Sequence, residues 1–410
     1  MTEQTFGAPA RGADARADGF DRRNAMLAIA GIVLVAINLR PGIVSTGPLL
    51  PSISAEFGLS HAAASLLIAI PDLLMGLLAL PTPWLARRFG RDPVILAALA
   101  LLCVSTFLRA FSGGPVTLLG STVGVGAGIA IVGALIAGFV KARFPGQAAM
   151  MMGVYATALS FGSTISAAAT APVEASAASG WRLASGMWSA LGVVAILAWL
   201  VVSLSERRMA ASAPAALTAL PLRDPLAWLV ALFFAFDNFL FYAVLSWTAP
   251  LHRELGFSPA TAGLILASFT FAFMCATFVF GWLSRSTDRR MWLAICGLLS
   301  VAGLLPLALF PGVLPFLFVP LCAIGLGGGF TLAMTLPLDN TATPEEANVW
   351  TAFVLTVGYL IATAGPLIVG AIRDLAGDFR PAIFVLAAVA AGMLALSPFL
   401  APRRRERVGV

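Results

Sequence analysis

Three ionisable side chains, Arg40, Asp72 and Asp237, lie near the middle of long apolar runs. An ionised group at the centre of a bilayer costs ~2.5–3.5 kcal/mol on insertion scales, so such groups are retained where they face a cavity or a partner. The planar guanidinium of Arg40 suits a carboxylate-like group, because it offers paired hydrogen bonds and stays charged. We predict that Arg40 binds a polar or anionic solute and that Asp72 or Asp237 exchanges protons. The alternative is a structural cluster in which Arg40 only neutralises the two aspartates.

Polar and aromatic side chains in other apolar runs could line the same cavity. The chain has only three tyrosines, and all three fall inside apolar runs rather than at the membrane interface, where tyrosine usually collects. A buried tyrosine hydroxyl needs a hydrogen-bond partner, which could be a solute or a helix carbonyl. The predicted cavity-lining residues are Asn38, Tyr155, Asn238, Tyr242, Trp247 and Tyr359.

The elements that must position these residues are membrane-spanning helices. Of the 410 residues, 60% are hydrophobic and 11% are charged, whereas about a quarter of the residues of soluble proteins are charged. The apolar residues form runs close to the ~20 residues that cross a bilayer, and no loop is long enough for a soluble enzyme domain. We predict an all-α, polytopic membrane protein with twelve transmembrane helices. The predicted spans, numbered 1 to 12, are 25–48, 61–85, 93–111, 115–140, 147–171, 183–204, 224–249, 259–283, 291–310, 313–338, 347–371 and 380–401.

The distribution of basic residues predicts the orientation in the membrane. With both termini on one side, 19 of the 25 Lys and Arg residues lie on that side and five lie on the other. Positively charged loops stay in the cytoplasm, so we predict a multi-pass protein of the bacterial inner (plasma) membrane with cytoplasmic termini. Residues 1–24 are predicted to be a disordered tail, and residues 402–410 a basic tail.

The two halves of the chain repeat each other. The longest polar break separates six spans from six spans, and an offset of 198 residues places Asn238, beside Asp237, at the position of Arg40. Spans 4 and 10 each carry a Gly-x-x-x-Gly pattern, which lets helices approach closely. We predict two pseudo-symmetric six-helix bundles whose solute site lies between them near the midplane, with Arg40 and Asp237 facing the cleft. The predicted bundles and the cytoplasmic linker between them comprise residues 25–204, 224–401 and 205–223.

Loop charges on the predicted cytoplasmic side indicate a gate. The loop after span 2 is strongly basic, whereas the loop between spans 10 and 11 has acidic residues and no Lys or Arg. We predict that these acids meet the arginines across the boundary between the halves when the cytoplasmic ends are closed. The alternative is ordinary solvated charge, since exposed pairs contribute ~0–1 kcal/mol. The predicted gate residues are Arg87, Arg88, Arg91, Asp339, Glu345 and Glu346.

Several function classes are disfavoured. The four cysteines lie in apolar runs without metal-ligand or disulfide spacing, and His61 and His252, at the ends of runs, are not paired with each other as a metal site would require. No metal or cofactor is predicted. A membrane enzyme would need a nucleophile–base pair, and ATP drive would need a phosphate-binding motif; neither pattern is present. Short basic patches between spans do not indicate nucleic acid. A channel or a non-transporting sensor stays an alternative, which saturable counterflow would exclude.

The motif Asn38-Leu39-Arg40-Pro41, followed by Gly47-Pro48-Leu49-Leu50-Pro51, resembles the cyanate and 2-nitroimidazole transporter (CynX/NimT) branch of the major facilitator superfamily. The resemblance runs from span 1 to span 12. It implies a secondary transporter with alternating access for a small anionic or polar organic solute, driven by the proton gradient, with Arg40 as the central binding residue. Further matches are Leu85-Ala86-Arg87-Arg88-Phe89-Gly90, Phe241-Tyr242 with Trp247 and Pro250, Gly325-Leu326-Gly327-Gly328-Gly329-Phe330, Leu338-Asp339, and Gly358-Tyr359 with Pro366.

The two aspartates distinguish this chain from that branch, which usually has an apolar residue at the position of Asp72 and often Gln at that of Asp237. Two ionised aspartates beside Arg40 would leave the cleft at −1. Either a proton accompanies an anionic solute, or the solute is a cation or is neutral. A carrier for multidrug or nitroimidazole-type efflux is the alternative within this class. The predicted partners are a small solute, protons and the lipid bilayer, with a monomeric protein.

Overall fold

The computed structural model describes residues 11–144, 147–176, 180–206, 220–284, 288–341 and 343–402, and helices dominate these ranges. A short 3-10 helix, Ser397–Phe399, lies near the end of the last described range. The α-helices of the described ranges are α1 (Arg11–Leu39), α2 (Pro41–Val44), α3 (Thr46–Phe57), α4 (His61–Ala79), α5 (Thr82–Phe89), α6 (Arg91–Arg109), α7 (Pro115–Arg143), α8 (Ala148–Ser176), α9 (Trp181–Gly186), α10 (Ser189–Glu206), α11 (Pro225–Glu254), α12 (Pro259–Leu283), α13 (Arg290–Leu309), α14 (Pro315–Asn340), α15 (Pro344–Ala362), α16 (Ala364–Ala376) and α17 (Arg380–Leu396).

Each of the twelve predicted spans corresponds to helix. Within the described residues, 11 helical segments are long and apolar enough to cross a membrane. The remaining span is the 29-residue helix α8, whose serines, threonines and glycines make it less apolar. The predicted all-α polytopic architecture is therefore confirmed.

The ends of several spans differ from the predictions. Span 1 continues through α3 to Phe57, and span 2 ends at Ala79, so the basic loop after it contains the separate helix α5. Helix α1 already begins at Arg11, which makes residues 11–24 helical where we predicted disorder. Alanine and arginine, which recur there, favour helix. The rest of the tail, residues 1–10, most of the linker, 207–219, and most of the basic tail, 403–410, lie outside the described residues.

Proline interrupts span 1 next to Arg40, the predicted solute-binding residue. Pro41 has no N–H to donate and its ring cannot follow a helical turn, so α1 ends at Leu39 and α2 begins at Pro41. The carbonyl of Arg40 then accepts the N–H groups of Ile43 and Val44, both at 3.0 Å. Arg40 therefore lies at a break between two helices, in the middle of a span.

The two halves repeat one packing contact. In the first half, a Cβ on Gly128 of α7 would lie 2.8 Å from the carbonyl oxygen of Ala98 on α6. In the second half, a Cβ on Gly325 of α14 would lie 2.5 Å from the carbonyl oxygen of Cys296 on α13. Ala98 and Cys296 are separated by the 198 residues that relate the halves in sequence. The Gly-x-x-x-Gly patterns of spans 4 and 10 thus pack against the preceding span in both bundles.

The halves meet where α8 contacts α12, where α4 contacts α15 and α16, and where α3 contacts α11. We call the end of the molecule at which α4 begins the His61 end, and the opposite end, which carries α5, the Arg87 end. Glycines allow backbone-level contact near the His61 end. A Cβ on Gly47 would lie 2.9 Å from the carbonyl oxygen of Leu245, and one on Gly263 would lie 3.1 Å from that of Ala167. The two bundles therefore fit closely at this end.

Candidate functional site

Arg40 joins the two halves at the centre of the molecule. Its Nη1 donates to the hydroxyl oxygen of Tyr242 at 3.0 Å, and its guanidinium carbon lies 5.9 Å from the centre of the Phe241 ring. Both partners belong to α11 of the second half. The side chain is only partly buried, and its contact with Tyr242 is the one hydrogen bond described for it. A guanidinium has five N–H donors, so most of the donors of Arg40 are left for a solute.

Two further tyrosines surround this contact. The rings of Tyr242 and Tyr359 lie 6.3 Å apart, and Tyr155 and Tyr359 both lie within electrostatic range of Arg40. The Tyr242 hydroxyl also approaches the sulfur of Met75 at 3.9 Å. All three predicted tyrosines thus gather around Arg40, one from the first half and two from the second. Together with Arg40 and Asp72, we call them the central cluster.

Asp72 is the acidic member of the central cluster. Its carboxylate is fully buried on α4, and neither oxygen has a hydrogen-bond partner within the described ranges. Arg40 attracts it electrostatically, and its charge also acts on Tyr242 and Tyr359. A buried carboxylate without a hydrogen bond is an unfavourable arrangement unless a proton is bound to it. The structure therefore brings one candidate proton carrier into the region of the candidate solute-binding arginine.

Asp237 lies outside the central cluster. Its Oδ1 lies where a Cβ on Gly329 of α14 would fall, and its charge acts on the thiols of Cys296 and Cys322. The carboxylate is fully buried, and neither oxygen has a hydrogen-bond partner in the described parts of the chain. Asp237 therefore points into the interior of the second half, contrary to our expectation that it faces the cleft. The physical reason is helical geometry, because neighbouring helix positions point about 100° apart.

The three remaining predicted lining residues lie outside the central cluster. Asn238 donates from Nδ2 to the carbonyl oxygen of Phe234 in its own helix at 3.0 Å. Asn38 is buried, and its Nδ2 has no partner among the residues described. Trp247 lies near the His61 end, where Nε1 donates to the carbonyl oxygen of Pro366 at 3.0 Å. Trp247 follows Tyr242 on α11 by more than one helical turn, which brings it closer to the His61 end.

Sequence reasoning assigned no role to His61, which contacts two acidic residues of the second half. Its Nδ1 lies 2.7 Å from Oδ1 of Asp374, and its Nε2 lies 3.5 Å from Oε1 of Glu254. Its ring packs 5.5 Å from the Trp247 ring. The residues it meets belong to the second half, more than 180 positions away, so no local pattern signals the contact. His252, by contrast, bonds within its own helix among the described residues, from Nδ1 to the carbonyl oxygen of Thr248.

Sequence reasoning assigned no role to Arg109, which lies near the end of span 3, whereas the structure buries it. Its Nη1 donates to the carbonyl oxygen of Gly42 at 2.5 Å and to Thr46, and its Nη2 donates to Thr122 at 3.1 Å. These acceptors lie on α2, α3 and α7. Arg109 therefore holds the broken segment of span 1 against its neighbours.

The predicted gate residues lie at the Arg87 end. Arg87 and Arg88 are exposed on α5, and Arg91 pairs with the adjacent Asp92 at 2.9 Å. Asp339 pairs with Arg289 of its own half at 2.5 Å rather than with the arginines of the first half.

The predicted contact between the halves at this end stays a prediction. The side chain of Glu345 lies outside the described residues, and the backbone N–H of Glu346 donates to Thr343 as part of the helix start. Nearby, hydrogen bonds from Arg290 hold the pKa of Asp288 below its usual value. The pairs Arg91–Asp92, Asp339–Arg289 and Asp288–Arg290 each lie within one half.

No group of three or more His, Cys, Asp or Glu side chains in the described ranges is arranged to hold a metal ion. The described cysteines are free thiols. The candidate site is therefore built from an arginine, a carboxylate and tyrosine hydroxyls between two helical bundles.

Comparison with known proteins agrees with this arrangement. Residues 26–252 and 227–409 each match the family model described as "Major Facilitator Superfamily". The chain is 30% identical over 382 residues to the cyanate transport protein CynX of Escherichia coli (strain K12), covering 92% of this chain and 98% of CynX. It is 28% identical over 363 residues to the 2-nitroimidazole transporter of the same organism, covering 87% of this chain and 91% of that protein.

Among solved structures, the D-xylose-proton symporter superposes with a TM-score of 0.70 at 15% identity, covering 92% of this chain and 97% of the symporter. At this identity the similarity concerns the fold alone. The match in family and relatives confirms the resemblance that the span 1 motif indicated, and it confirms a membrane transporter rather than an enzyme.

Proposed function

We propose that this chain, which belongs to the Major Facilitator Superfamily, is a secondary transporter that carries a small anion together with a proton through alternating access. The observation that supports this most strongly is Arg40, a partly buried cation between the halves whose side chain makes a single hydrogen bond, to Tyr242, within the described residues. Its remaining donors can bind a carboxylate-like or cyanate-like group in a site that both halves enclose. Two relatives named for cyanate and 2-nitroimidazole transport support a small, planar solute.

Charge balance supports coupling to one proton. With Asp237 directed into the second half, Arg40 and Asp72 are the charged members of the central cluster, and together they are neutral when both are ionised. An arriving anion adds a negative charge in a region of low dielectric, where an unbalanced charge is unfavourable. A proton on Asp72 restores neutrality. We therefore assign the coupling role to Asp72 and expect the loaded carrier to be electroneutral.

The aromatic rings around Arg40 support a second candidate, a carrier of neutral azoles of the nitroimidazole type. Phe241, Tyr242 and Tyr359 present ring faces and edges on which a flat heteroaromatic solute can stack. Such a solute would need no charge balance, so its transport would not depend on Asp72. The two candidates therefore differ in their requirement for this carboxylate.

The distribution of Lys and Arg supports cytoplasmic termini, with the Arg87 end facing the cytoplasm of a bacterium and the His61 end facing outward. We propose the inner membrane as the location and a monomer as the working unit, because each chain contains both halves of the central cluster.

The test is uptake into liposomes that contain the purified protein, with cyanate, formate and 2-nitroimidazole as probes and with the pH gradient imposed or absent. We expect gradient-driven uptake of an anion, with one proton taken up per anion as read by an internal pH dye. Losing the charge-assisted hydrogen bonds of Arg40 in Arg40→Ala should reduce uptake at least about tenfold. Asp72→Asn should uncouple uptake from the gradient.

Arg380→Met and Asp288→Asn are matched controls, since both residues lie outside the central cluster, and they should behave as the parent protein. Uptake of 2-nitroimidazole that persists in Asp72→Asn would favour the azole carrier. Uptake of every probe at the parent rate in Arg40→Ala would contradict both candidates.

A further inference from the structure

We propose that Asp374 is a latch that holds the His61 end closed by capping a helix of the opposite half. This inference rests on the proposed alternating access, because it concerns the end that must open and close in each cycle. Asp374 lies on α16 in the second half, and the capped helix is α4 in the first half.

The capping geometry is complete. Oδ1 of Asp374 accepts the backbone N–H of His61 at 2.9 Å, and Oδ2 accepts that of Ala62 at 2.8 Å. The first N–H groups of a helix have no partner within it. The local cap, Ser60, satisfies only the N–H of Ala63, at 3.1 Å. The first two donors of α4 are therefore satisfied by a residue 312 or 313 positions away, and a negative charge is also favourable at a helix start.

The side chain of His61 extends the same contact. Its ring lies between two carboxylates of the second half, with Nδ1 at 2.7 Å from Asp374 and Nε2 at 3.5 Å from Glu254. Arg373 holds Glu254 from the other side at 3.0 Å. The ring also packs 6.0 Å from that of Phe379. Backbone and side chain of His61 thus both engage the second half.

The cap lies where the halves have to separate. One turn along α4, the Ser65 hydroxyl donates to the carbonyl oxygen of Pro366 at 2.7 Å, and a Cβ on Gly370 would lie 2.6 Å from the carbonyl oxygen of His61. Opening the His61 end must move α4 away from α16, which removes the cap. Asp374 is partly exposed, so water can solvate both the carboxylate and the freed N–H groups once they part. The contact therefore stabilises the closed state by a modest amount, as a reversible switch requires.

The test measures how often the His61 end opens. In a variant whose four cysteines are replaced by alanine, Ala171→Cys serves as the reporter, because Ala171 is buried on α8 against Gly263 of the second half near this end. A membrane-impermeant maleimide added from the outside can reach this thiol only when the halves part. The measurement requires no solute, so it does not depend on knowing what is transported.

We expect Asp374→Ala to label on the order of tenfold faster than the parent, in line with the usual effect of losing a helix cap. The matched control is Asp378→Ala. Asp378 accepts the N–H of Arg380 at 3.2 Å within its own half, so its removal should leave the labelling rate unchanged. His61→Gln keeps the backbone donors and should raise the rate less than Asp374→Ala does.

Equal labelling rates in Asp374→Ala and Asp378→Ala would overturn the latch. If Asp374→Ala does not elute as a folded protein in gel filtration, Asp374→Asn replaces it. Its labelling rate is then compared with that of Asp378→Ala in the same way. Faster labelling in a protein that transports none of the probes would support the latch and count against the proposed function. If the labelling rate of Asp374→Ala is unchanged and the protein takes up cyanate, the latch is contradicted and the proposed function is supported.

Discussion

Two arginines of the first half, the buried Arg109 and the partly buried Arg40, differ in how far the protein satisfies their hydrogen-bond donors. Arg109 donates from both terminal nitrogens to a carbonyl and two hydroxyls of neighbouring segments, and its Nε alone has no partner among the described residues. The side chain of Arg40 donates to one hydroxyl within the described ranges. An ion buried in a protein is stable when its donors are matched by acceptors. The larger number of unmatched donors on Arg40 is therefore the feature that supports the proposed solute binding.

This difference gives a stability prediction. Arg109→Met keeps much of the apolar volume but leaves the Gly42 carbonyl and two hydroxyls without their donor. An unsatisfied buried polar group costs about 1–3 kcal/mol, so we expect the unfolding temperature in detergent to fall by several degrees. The matched control is Arg380→Met, because Arg380 is exposed and its side chain donates, within the described residues, to the last two carbonyls of α13. An equal effect of the two substitutions would show that Arg109 has no special role in holding span 1.

At the scale of residues, the sequence predicted well which side chains belong to the central cluster. It predicted less well which way a side chain points from its helix. Arg40, Asp72 and the three tyrosines were identified because charge and hydroxyls are rare inside apolar runs. Asp237 was assigned to the cleft wrongly, since a step of one residue changes the face of a helix. The contact of His61 with Asp374 joins positions 313 apart, and no local pattern can predict a pair at that separation.

Among elements, the packing of α11 against α14 depends on a glycine, Gly329, whose lack of a Cβ lets the two helices approach. The carboxylate of Asp237 lies in the space that a Cβ on Gly329 would occupy. The same carboxylate lacks a hydrogen bond in the described ranges. The two helices thus approach closely at a buried acid, which ties the position of Asp237 to the spacing of the helices.

We predict that Gly329→Ala destabilises the protein, because the new methyl group meets Oδ1 of Asp237, and that the added substitution Asp237→Ala restores part of the loss. Overpacking in a core typically costs about 1–3 kcal/mol. Gly138→Ala is the matched control, since nothing lies within 4 Å of a Cβ there, and it should be neutral or slightly stabilising. Unfolding temperatures of the four variants measure the coupling, and strictly additive effects would contradict the contact.

The elements themselves were predictable because a bilayer imposes a length and a composition on every span. What the apolar pattern could not reveal is where spans break. Span 1 breaks at Pro41, span 6 between α9 and α10, and span 11 at Thr363 between α15 and α16. Hydropathy averages over such breaks, and a proline inside an apolar run is also compatible with a continuous, kinked helix. The break at Pro41 nonetheless determines where Arg40 lies.

Across the whole molecule, the ion pairs that the structure describes between the two halves lie at the His61 end. At the Arg87 end, the pair of Asp339 with Arg289 lies within the second half. At the His61 end, Asp374 and Glu254 of the second half meet His61 of the first, and Arg253 approaches Glu174 of the first half at 3.8 Å. Ion pairs between the halves bias which end is closed, whereas pairs within a half move with it as a rigid unit. The described contacts between the halves at the His61 end therefore favour closure there.

The orientation of this asymmetric molecule can be tested directly. In the cysteine-free variant, Gly113→Cys places a thiol in an exposed loop at the His61 end, and Phe89→Cys places one on α5 at the Arg87 end. Because 19 of the 25 basic residues lie on the side of the Arg87 end and loops rich in Lys and Arg are retained in the cytoplasm, we expect an impermeant maleimide to label Gly113→Cys in intact cells. Phe89→Cys should react only after the membrane is permeabilised, and each variant serves as the control for the other. The opposite labelling pattern would invert the topology, and it would move the Asp374 latch to the cytoplasmic side, where it would close the carrier to the cell interior.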